Sequence, residues 1–373
     1  QKILLIINLK NKYLMNNLRS VLTIFTISLF LLLASDFFIG HKLLKIYKDK
    51  NINKIKDNII LPTKPNDLFK YDFKKNFEGI IHYGVFNYEL CTNNLRMRIS
   101  CENKNDDYDY KFNYIFIGDS FTEGVGLNYN DTFVSIFEQN FPKKKIGNLG
   151  ISGYSPRNYY SKIKKYILDG LVFEELIVFI DISDISDEAG LKSEQTLDLT
   201  TNDVNKQRNK NFKEIFKSNF PLSHYLLYRI KYFNLPKPIY RYLPSYQASS
   251  WTYNRSITNY DVEYGIESSV EYMNKLYNFL NQKNIKLSIA IYPWPNQLIY
   301  DRADSDQVKI WEDFCKFKCK NFLNYFPIFF ENENTLKLSK AKKIIEKLYL
   351  ENDMHLNKTG NKIIASNLIE AYR

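Results

Sequence analysis

The sequence predicts an α/β protein: a three-layer α/β/α domain with a central parallel sheet, preceded by an N-terminal transmembrane helix. Two observations favour this fold class. Short apolar runs alternate with helical patterns after residue 110, and one apolar run of 20 residues lies near the start of the chain. The length of 373 residues, with 45% hydrophobic and 25% charged residues, suits one large domain with additions or two domains and excludes a disordered or collagen-like chain.

The apolar run covers residues 21–40 and contains a single charged side chain, Asp36. A helix of about 20 residues spans roughly 30 Å, which is the thickness of the hydrocarbon core of a bilayer. A cleaved signal peptide would have a shorter apolar core and a small-x-small cleavage site, and a buried helix would show an amphipathic stripe. We therefore predict a single-pass membrane anchor at 21–40, preceded by a cytoplasmic segment at 1–20.

Lysines flank the run on both sides, so the positive-inside rule does not decide which side of the membrane carries the domain. Cys91 and Cys101 flank a segment that could turn back on itself, and a disulfide there would require an oxidising compartment. Cys315 and Cys319 lie four residues apart in a predicted helix, where two packed thiols are the more common outcome. We predict that the domain lies on the periplasmic, extracytoplasmic side of the inner membrane, partly from the family resemblance described below.

Residues 41–110 are predicted as a stalk followed by a small β lead-in. The stretch 41–75 is rich in Lys and Asn and has few apolar residues, which is typical of a linker that lifts a domain off the membrane. The stretch 79–100 alternates as a strand does and contains a turn signal at 92–94.

Alternating strands and helices predict the main domain at 111–373. Mostly apolar runs predict buried parallel strands at 114–117, 146–149, 176–180, 285–292 and within 322–330. Helical periodicity predicts helices at 131–140, 156–168, 270–282, 335–350 and 361–372. In a doubly wound sheet of this kind, the chemistry lies beyond the carboxyl ends of the strands.

Residues 188–269 do not follow this alternation and are predicted as an insertion. Insertions of this length are commonly functional, so we expect a cap over the active site. The apolar, helix-like piece at 220–233 leaves a second interpretation open, an amphipathic helix on the membrane surface that carries Arg229 and Lys231.

The net charge of +11 comes from 52 Lys and Arg against 41 Asp and Glu. A basic balance suits nucleic acid or an anionic membrane as partner. The lysines are spread along the whole chain, and no zinc-finger spacing or RNP-like aromatic motif is present. We therefore expect no nucleic-acid partner.

Candidate catalytic residues lie at the two ends of the domain. Ser120 follows the first buried strand, where its hydroxyl would project from the carboxyl edge of the sheet. A serine nucleophile needs a base. His41 abuts the anchor, His82 lies in the lead-in and His224 in the insertion, which leaves His355. Asp353, two residues earlier, can orient the imidazole through Nδ1 and leave Nε2 to accept the serine proton.

These residues resemble the motifs of the SGNH (GDSL-type) hydrolase family over roughly residues 111–372. The segment GDSFTEG at 118–124 is similar to the first block of the family, with Ser120 as nucleophile. The segment NLGISGYS at 148–155 is similar to the second block, whose Gly153 would donate a backbone N–H to the oxyanion. The resemblance implies an α/β/α fold and an acyl-serine mechanism, and it identifies Asp119 as a further substrate-binding candidate.

The third and last blocks depart from the family pattern. The loop 181–187 matches the third block in position, but Ser183 stands where the family normally supplies an Asn side chain to the oxyanion. A Ser hydroxyl can donate one hydrogen bond, with a different reach and direction. The segment DMHLN at 353–357 resembles the last block with Asp-x-His in place of Asp-x-x-His, a spacing familiar in membrane-anchored relatives.

A carboxylate cluster at Asp181, Asp184 and Asp187 raises the possibility of a Ca²⁺ or Mg²⁺ site. The sequence contains no calcium-binding loop with a glycine at its turn, and the resemblance implies neither a metal nor a cofactor. We therefore predict that this segment is a solvated loop without a metal, in which one Asp side chain packs near the site.

The predicted activity is that of an ester hydrolase: a serine esterase acting on short-chain acyl or acetyl esters, with an acylated envelope carbohydrate as the implied substrate. Two alternatives stay open. One is an O-acyltransferase that works beside a multispanning membrane acyltransferase and passes the acyl group to a surface polysaccharide. The other is a non-catalytic module that binds glycan, which Ser183 favours and the complete set of Ser120, Asp353 and His355 disfavours.

Overall fold

A computed structural model describes residues 19–24, 26–28, 30–32, 34–40, 42, 59–60, 71–83, 86–103, 109–198, 220, 223 and 247–373. The chain divides into two compact units, a smaller one of residues 1–55 and 203–235 and a larger one of residues 56–202 and 236–373. The predicted cytoplasmic segment, most of the stalk and most of the predicted helix at 220–233 lie outside the described residues.

The larger unit is organised around a mixed sheet of eight strands. The strands of the unit are β1 (Ile59–Ile60), β2 (Asp72–Phe73), β3 (Glu78–Tyr83), β4 (Phe86–Thr92), β5 (Arg98–Ile99), β6 (Lys111–Gly118), β7 (Ile146–Asn148), β8 (Val172–Ile180), β9 (Lys286–Ile291) and β10 (Phe322–Asn324). β1 and β2 pair with each other, and the large sheet has the order β10-β9-β8-β6-β7-β5-β4-β3. The five strands from β10 to β7 are parallel, as the apolar runs predict.

The central strands are buried because the sheet is covered on both faces. Residues 115–117 of β6 and 176–180 of β8 have no solvent-accessible surface. These two strands pair in register from Lys111 beside Val172 to Gly118 beside Phe179. The carboxyl end of β6 is thereby held between β7 and β8, at the point where the strand order reverses.

The β lead-in belongs to the same sheet, which is therefore mixed rather than purely parallel. β3, β4 and β5 are antiparallel, and Arg98 of β5 pairs with Asn148 of β7. The Arg98 side chain is fully buried, and its guanidinium donates to the carbonyl oxygens of Glu123, Gly124 (2.7 Å) and Leu127 (2.5 Å). A buried guanidinium needs such acceptors, and they fix the short strand β5 against the loop that follows β6.

Two groups of helices cover the sheet. The helices are α1 (Ser120–Glu123), α2 (Phe133–Asn140), α3 (Pro156–Leu168), α4 (Asp184–Asp198), α5 (Val262–Asn281), α6 (Pro295–Tyr300), α7 (Asp306–Cys315), α8 (Phe326–Phe329), α9 (Leu338–Leu348) and α10 (Lys358–Tyr372). α5 packs against α3 and α4, whereas α10 packs against α2 and α9. Because β6 lies between β7 and β8, right-handed crossovers place α2 and α3 on opposite faces of the sheet.

Helix α5 begins at Val262 rather than at the predicted residue 270, since Asp261 caps it by accepting from the Tyr264 N–H at 3.1 Å. α4 extends to Asp198, so helices of the larger unit occupy both ends of the predicted insertion at 188–269. Gly265 allows the close packing of these helices. A Cβ atom at that position would lie 2.3 Å from the backbone oxygen of Ile185.

The smaller unit contains the apolar run near the start of the chain. Its described part is helical, and Val21, Ile24 and Phe30 are 64%, 65% and 72% exposed. Asp36 is buried and accepts from the Ser223 N–H at 2.9 Å and from the Ser223 hydroxyl. Among the described residues, no helix combines the length and the apolar character that crossing a bilayer requires. The anchor at 21–40 stays a prediction.

All four cysteines form disulfides, Cys91 with Cys101 and Cys315 with Cys319. The first pair agrees with the disulfide considered from the sequence. The expectation of two packed thiols for the second pair is wrong, because α7 ends at Cys315 and the following turn brings the two Cα atoms to 4.7 Å, within reach of a disulfide.

We expect Gly265→Ala to lower the free energy of unfolding by about 1–3 kcal/mol, because its Cβ would meet a backbone oxygen that no side-chain rotation can move. Gly190→Ala in α4 is the matched control. Its Cβ meets no atom within 4 Å, and helix propensity predicts a neutral effect or a gain of up to about 1 kcal/mol. Thermal unfolding followed by circular dichroism compares the two variants, and equal midpoints would contradict the close packing of α4 and α5.

Candidate active site

Ser120 lies where the chain leaves β6 and enters α1. Asp119 caps this short helix, and its Oδ1 accepts from the Phe121 N–H at 3.0 Å. A Cβ at Gly118 would lie 2.8 Å from the Phe179 carbonyl oxygen, so this turn requires glycine. The half-buried Ser120 is the first helical residue, and its hydroxyl projects at the carboxyl edge of the sheet as the sequence predicts.

Three predicted site residues come together at this edge. His355 Nε2 lies 2.7 Å from Ser120 Oγ, and His355 Nδ1 lies 2.5 Å from Asp353 Oδ1. The imidazole is 5% exposed, so water competes weakly for either nitrogen. With Nδ1–H donated to the carboxylate, Nε2 can accept the proton of the serine hydroxyl.

The loop that carries Asp353 and His355 is held by its own hydrogen bonds. The Leu350 N–H donates to the His355 carbonyl oxygen at 2.8 Å, and the Asp353 N–H donates to the Leu350 carbonyl oxygen at 3.2 Å. Asp353 Oδ1 also accepts from the His355 N–H at 2.9 Å. One carboxylate oxygen thus binds both the backbone and the ring of His355, which explains how an Asp-x-His spacing forms the pair.

Tyr83, at the tip of the β3–β4 hairpin, contacts this pair and was not predicted from the sequence. Its ring packs edge-on against the His355 ring at 5.3 Å, and its hydroxyl is hydrogen-bonded to Asp353. Burial raises the pKa of Asp353, but hydrogen bonds from His355 and Tyr83 outweigh it and hold the pKa below its ordinary value. The alternation of the lead-in predicts a strand here but gives no signal for a contact with a loop about 270 residues away.

The N–H groups of Ser120 and Gly153 are two candidate oxyanion donors, supplied by the turn after β6 and by the loop after β7. Gly153 adopts φ +73°, a conformation that favours glycine. Within the part of the chain that the structure describes, neither the Ser120 N–H nor the Gly153 N–H is hydrogen-bonded. Preorganised, unoccupied N–H donors beside a nucleophile are the arrangement that stabilises an oxyanion.

Glu123 positions the loop that carries Gly153. Its Oε2 accepts from the Ser152 N–H at 2.7 Å and from the Ser152 hydroxyl at 2.6 Å. Tyr71 donates its hydroxyl proton to the Ser152 carbonyl oxygen on the other side. Glu123 is the final residue of α1, so a single short helix ties the serine to the second N–H donor.

Ser183, the side-chain donor considered from the sequence, lies beside the buried Asp181. Its N–H donates to Asp181 Oδ1 at 2.6 Å, and its hydroxyl is hydrogen-bonded to the same carboxylate. The third-block serine therefore binds a buried acid, and its role as an oxyanion donor stays a prediction.

Three acids at the carboxyl edge of the sheet, Asp119, Asp181 and Asp184, are buried. Tyr292 donates to both Asp119 and Asp181 at 3.3 Å, and Trp294 Nε1 donates to Asp181 at 2.5 Å. Burial, reinforced by the charges of neighbouring acids, raises the pKa of Asp119 and of Asp184 well above the ordinary value, and burial raises the pKa of Asp181 as well. Among the described residues, no group of three or more His, Cys, Asp or Glu side chains is arranged to hold a metal ion.

The Asp119 carboxylate also lies near the nucleophile, with Oδ2 3.1 Å from Ser120 Oγ. An ionised Asp119 would compete with His355 for the hydroxyl proton. The raised pKa of Asp119 opposes that ionisation, so the low-dielectric surroundings favour transfer of the proton to the imidazole.

Comparison with known proteins finds no matching family model and no matching curated protein. Among solved structures, the chain is similar to a member of the lipolytic protein G-D-S-L family from Veillonella parvula, with 12% identity and a TM-score of 0.35 over 70% of this chain and 97% of that one. It is also similar to a psychrotrophic esterase from Pseudoalteromonas, with 9% identity, a TM-score of 0.37 and coverage of 71% and 97%. A third similar structure is a catalytic mutant of an acetylxylan esterase from Geobacillus stearothermophilus. It is 9% identical, with a TM-score of 0.37 over 69% of this chain and 93% of that one. Likenesses of this size do not establish a shared family or activity.

We expect Tyr83→Phe to slow covalent labelling of Ser120 by a serine-directed fluorophosphonate about tenfold, since a hydrogen bond to the charged Asp353 that orients His355 is lost. Tyr372→Phe is the matched control, because it removes a tyrosine–carboxylate hydrogen bond to Glu175, which lies beside Lys286 at the amino end of the parallel strands. Second-order labelling rates are compared at equal thermal stability. An equal loss in both variants would show that Tyr83 acts only on the fold.

We expect Asp184→Asn to stabilise the chain at pH 8 and to have little effect near pH 4. The fold holds the pKa of Asp184 above its ordinary value of 3.8, so the folded chain binds more protons than the unfolded chain and loses stability as the pH rises. Asparagine keeps an acceptor for the Tyr159 hydroxyl, 3.2 Å from Oδ1. Denaturant unfolding between pH 4 and 8 measures this effect, with the exposed Asp169→Asn as control. A constant difference across this range would contradict the prediction.

Proposed function

We propose that the protein is a serine ester hydrolase of the SGNH type. One observation carries this proposal: Ser120, His355 and Asp353 form a continuous chain of hydrogen bonds of 2.7 and 2.5 Å beside two unoccupied backbone N–H groups. A nucleophile, a base, an orienting acid and an oxyanion site are the parts that acyl transfer needs.

The reaction proceeds through an acyl-serine. Ser120 Oγ attacks the ester carbonyl carbon while His355 Nε2 takes the hydroxyl proton, and Asp353 stabilises the resulting imidazolium. The N–H groups of Ser120 and Gly153 donate to the oxyanion. Collapse of the tetrahedral intermediate breaks the ester C–O bond, and the imidazolium returns its proton to the departing alcohol. Water then attacks the acyl-serine by the same route and regenerates the hydroxyl.

The oxyanion site uses backbone donors, since the Ser183 hydroxyl is bonded to Asp181. One oxyanion donor is commonly worth about 10²–10³ in rate. An acetyl or another short acyl chain is the proposed group removed, as the resemblance to the family implies.

An acylated envelope carbohydrate is the proposed alcohol component. The predicted anchor at 21–40 and two disulfides support a domain held at the extracytoplasmic face of the inner membrane, where such glycans are found. Transfer of the acyl group to a sugar hydroxyl uses the same acyl-serine, with the hydroxyl in place of water. The multispanning acyltransferase that would accompany transfer stays a prediction.

We expect a fluorophosphonate to label the full chain, and we expect Ser120→Ala and His355→Ala to abolish this labelling. Ester hydrolysis, measured with p-nitrophenyl acetate, should fall by about 10⁴-fold or more in either variant. Ser366→Ala is the control, since Ser366 is exposed on α10 and bonds only the Lys362 carbonyl oxygen. Labelling that persists in Ser120→Ala would refute the proposed nucleophile.

An acetylated xylo-oligosaccharide then separates hydrolysis from transfer. Release of free acetate that is unaffected by an added unacetylated oligosaccharide supports the hydrolase. Acetate that appears on the added oligosaccharide, with little free acetate, would contradict it in favour of the transferase.

A further inference from the structure

We propose that the edge of the sheet opposite the active site is a docking surface for an anionic phospholipid bilayer. This amino edge consists of the segments that precede the parallel strands β6 to β10. All parallel strands begin at the same edge of a sheet, so these segments meet although they are far apart in sequence. The Val172 N–H, for example, donates to the Tyr110 carbonyl oxygen at 2.7 Å, and the Lys320 N–H donates to the Leu287 carbonyl oxygen at 2.6 Å.

Nine lysines lie on the amino edge. Three consecutive lysines at 143–145 precede β7, Lys283 and Lys286 lie at the start of β9, and lysines at 316, 318 and 320 precede β10. Lys111 begins β6. All of these lysines are exposed except Lys318, which is half-buried.

Few carboxylates neutralise this charge. Lys145 pairs with Asp109 at 2.7 Å, and Lys320 pairs with Glu175 at 2.6 Å. Over the described residues, no carboxylate forms an ion pair with the remaining lysines of the amino edge that precede β7, β9 and β10. Asp169, Glu174, Glu312 and Asp313 are further exposed carboxylates near the strand starts, so nine lysines face six carboxylates. The edge therefore carries a net positive charge, which complements anionic lipid headgroups.

Exposed apolar side chains lie among these lysines. Phe317 is 89% exposed, at the tip of the loop closed by the Cys315–Cys319 disulfide. Leu168 and Val172, on either side of the turn into β8, are 68% and 57% exposed. A rigid loop with a protruding phenylalanine between lysines can insert the ring at the level of the acyl chains while the lysines bind the headgroups.

The apolar residues favour a bilayer over a soluble polyanion. A nucleic acid or an acidic glycan would match the lysines, but neither would bury Phe317, Leu168 and Val172. Docking by this edge would turn the opposite edge, with Ser120 and His355, away from the bilayer. This inference does not rest on the proposed activity.

The experiment uses the full chain with Phe317→Trp, incubated with vesicles of phosphatidylcholine and phosphatidylglycerol whose acyl chains carry bromine, which quenches tryptophan at that depth. The native Trp251, Trp294 and Trp311 are 1%, 4% and 1% exposed and give a constant background. Ile80→Trp is the matched control, since Ile80 is 63% exposed on the hairpin whose tip contacts His355.

We expect a blue shift and loss of fluorescence for Phe317→Trp and no change for Ile80→Trp. Replacing Lys143, Lys144 and Lys316 with Glu should restore the fluorescence, because each lysine near an anionic surface is worth about fivefold in binding. No quenching at position 317, or equal quenching at both positions, would overturn the proposal. Binding of labelled polygalacturonate without quenching in vesicles would assign the edge to an acidic glycan instead. Loss of esterase activity in Ser120→Ala leaves all of these outcomes unchanged.

Discussion

The buried guanidinium of Arg98 is the interaction on which the active edge depends. A cation without access to water must be satisfied by the protein, and Arg98 achieves this with the carbonyl oxygens of the loop that follows the nucleophile. Burial lowers its pKa, and the hydroxyl of Tyr88 and the carboxylate of Glu123 partly restore it. Through Glu123 the same loop holds Ser152 and hence the Gly153 N–H. A residue of the short strand β5 thus helps to fix the spacing between the nucleophile and the loop that carries Gly153.

The sequence was sufficient for the features that depend on local pattern. Apolar runs predicted the parallel strands, because burial on both faces requires them. The turn at Ser120 and the Asp353–His355 pair followed from residue types at strand and helix boundaries. Tyr83, Glu123 and Arg98 could not be found in this way, since each acts through contacts with segments distant in sequence. The pairing of Arg98 with Asn148, which joins the lead-in to the main sheet, depends on the same kind of contact.

Charge is segregated along the strand direction, and the helices explain part of this. The N-termini of α1, α3, α4 and α10 lie at the carboxyl edge of the sheet, where partial positive charge from backbone N–H groups suits Asp119, Asp184 and the developing oxyanion. The opposite ends of α2, α3 and α5 face the amino edge with their carbonyl groups, which suits lysines. An even spread of lysine in the sequence therefore becomes an uneven distribution in space.

The compact loop that carries Asp353 and His355 has a mechanical consequence. Because the acid and the base are bonded to each other within one closed turn, displacement of the turn changes the distance to Ser120 but leaves the acid–base pair intact. Such a displacement breaks the bond from His355 Nε2 to Ser120 Oγ and shifts the ring contacts of His355 with Tyr83 and Phe121. The acid and the base therefore keep their mutual alignment when the turn shifts as a rigid body, and only their position relative to Ser120, Phe121 and Tyr83 changes.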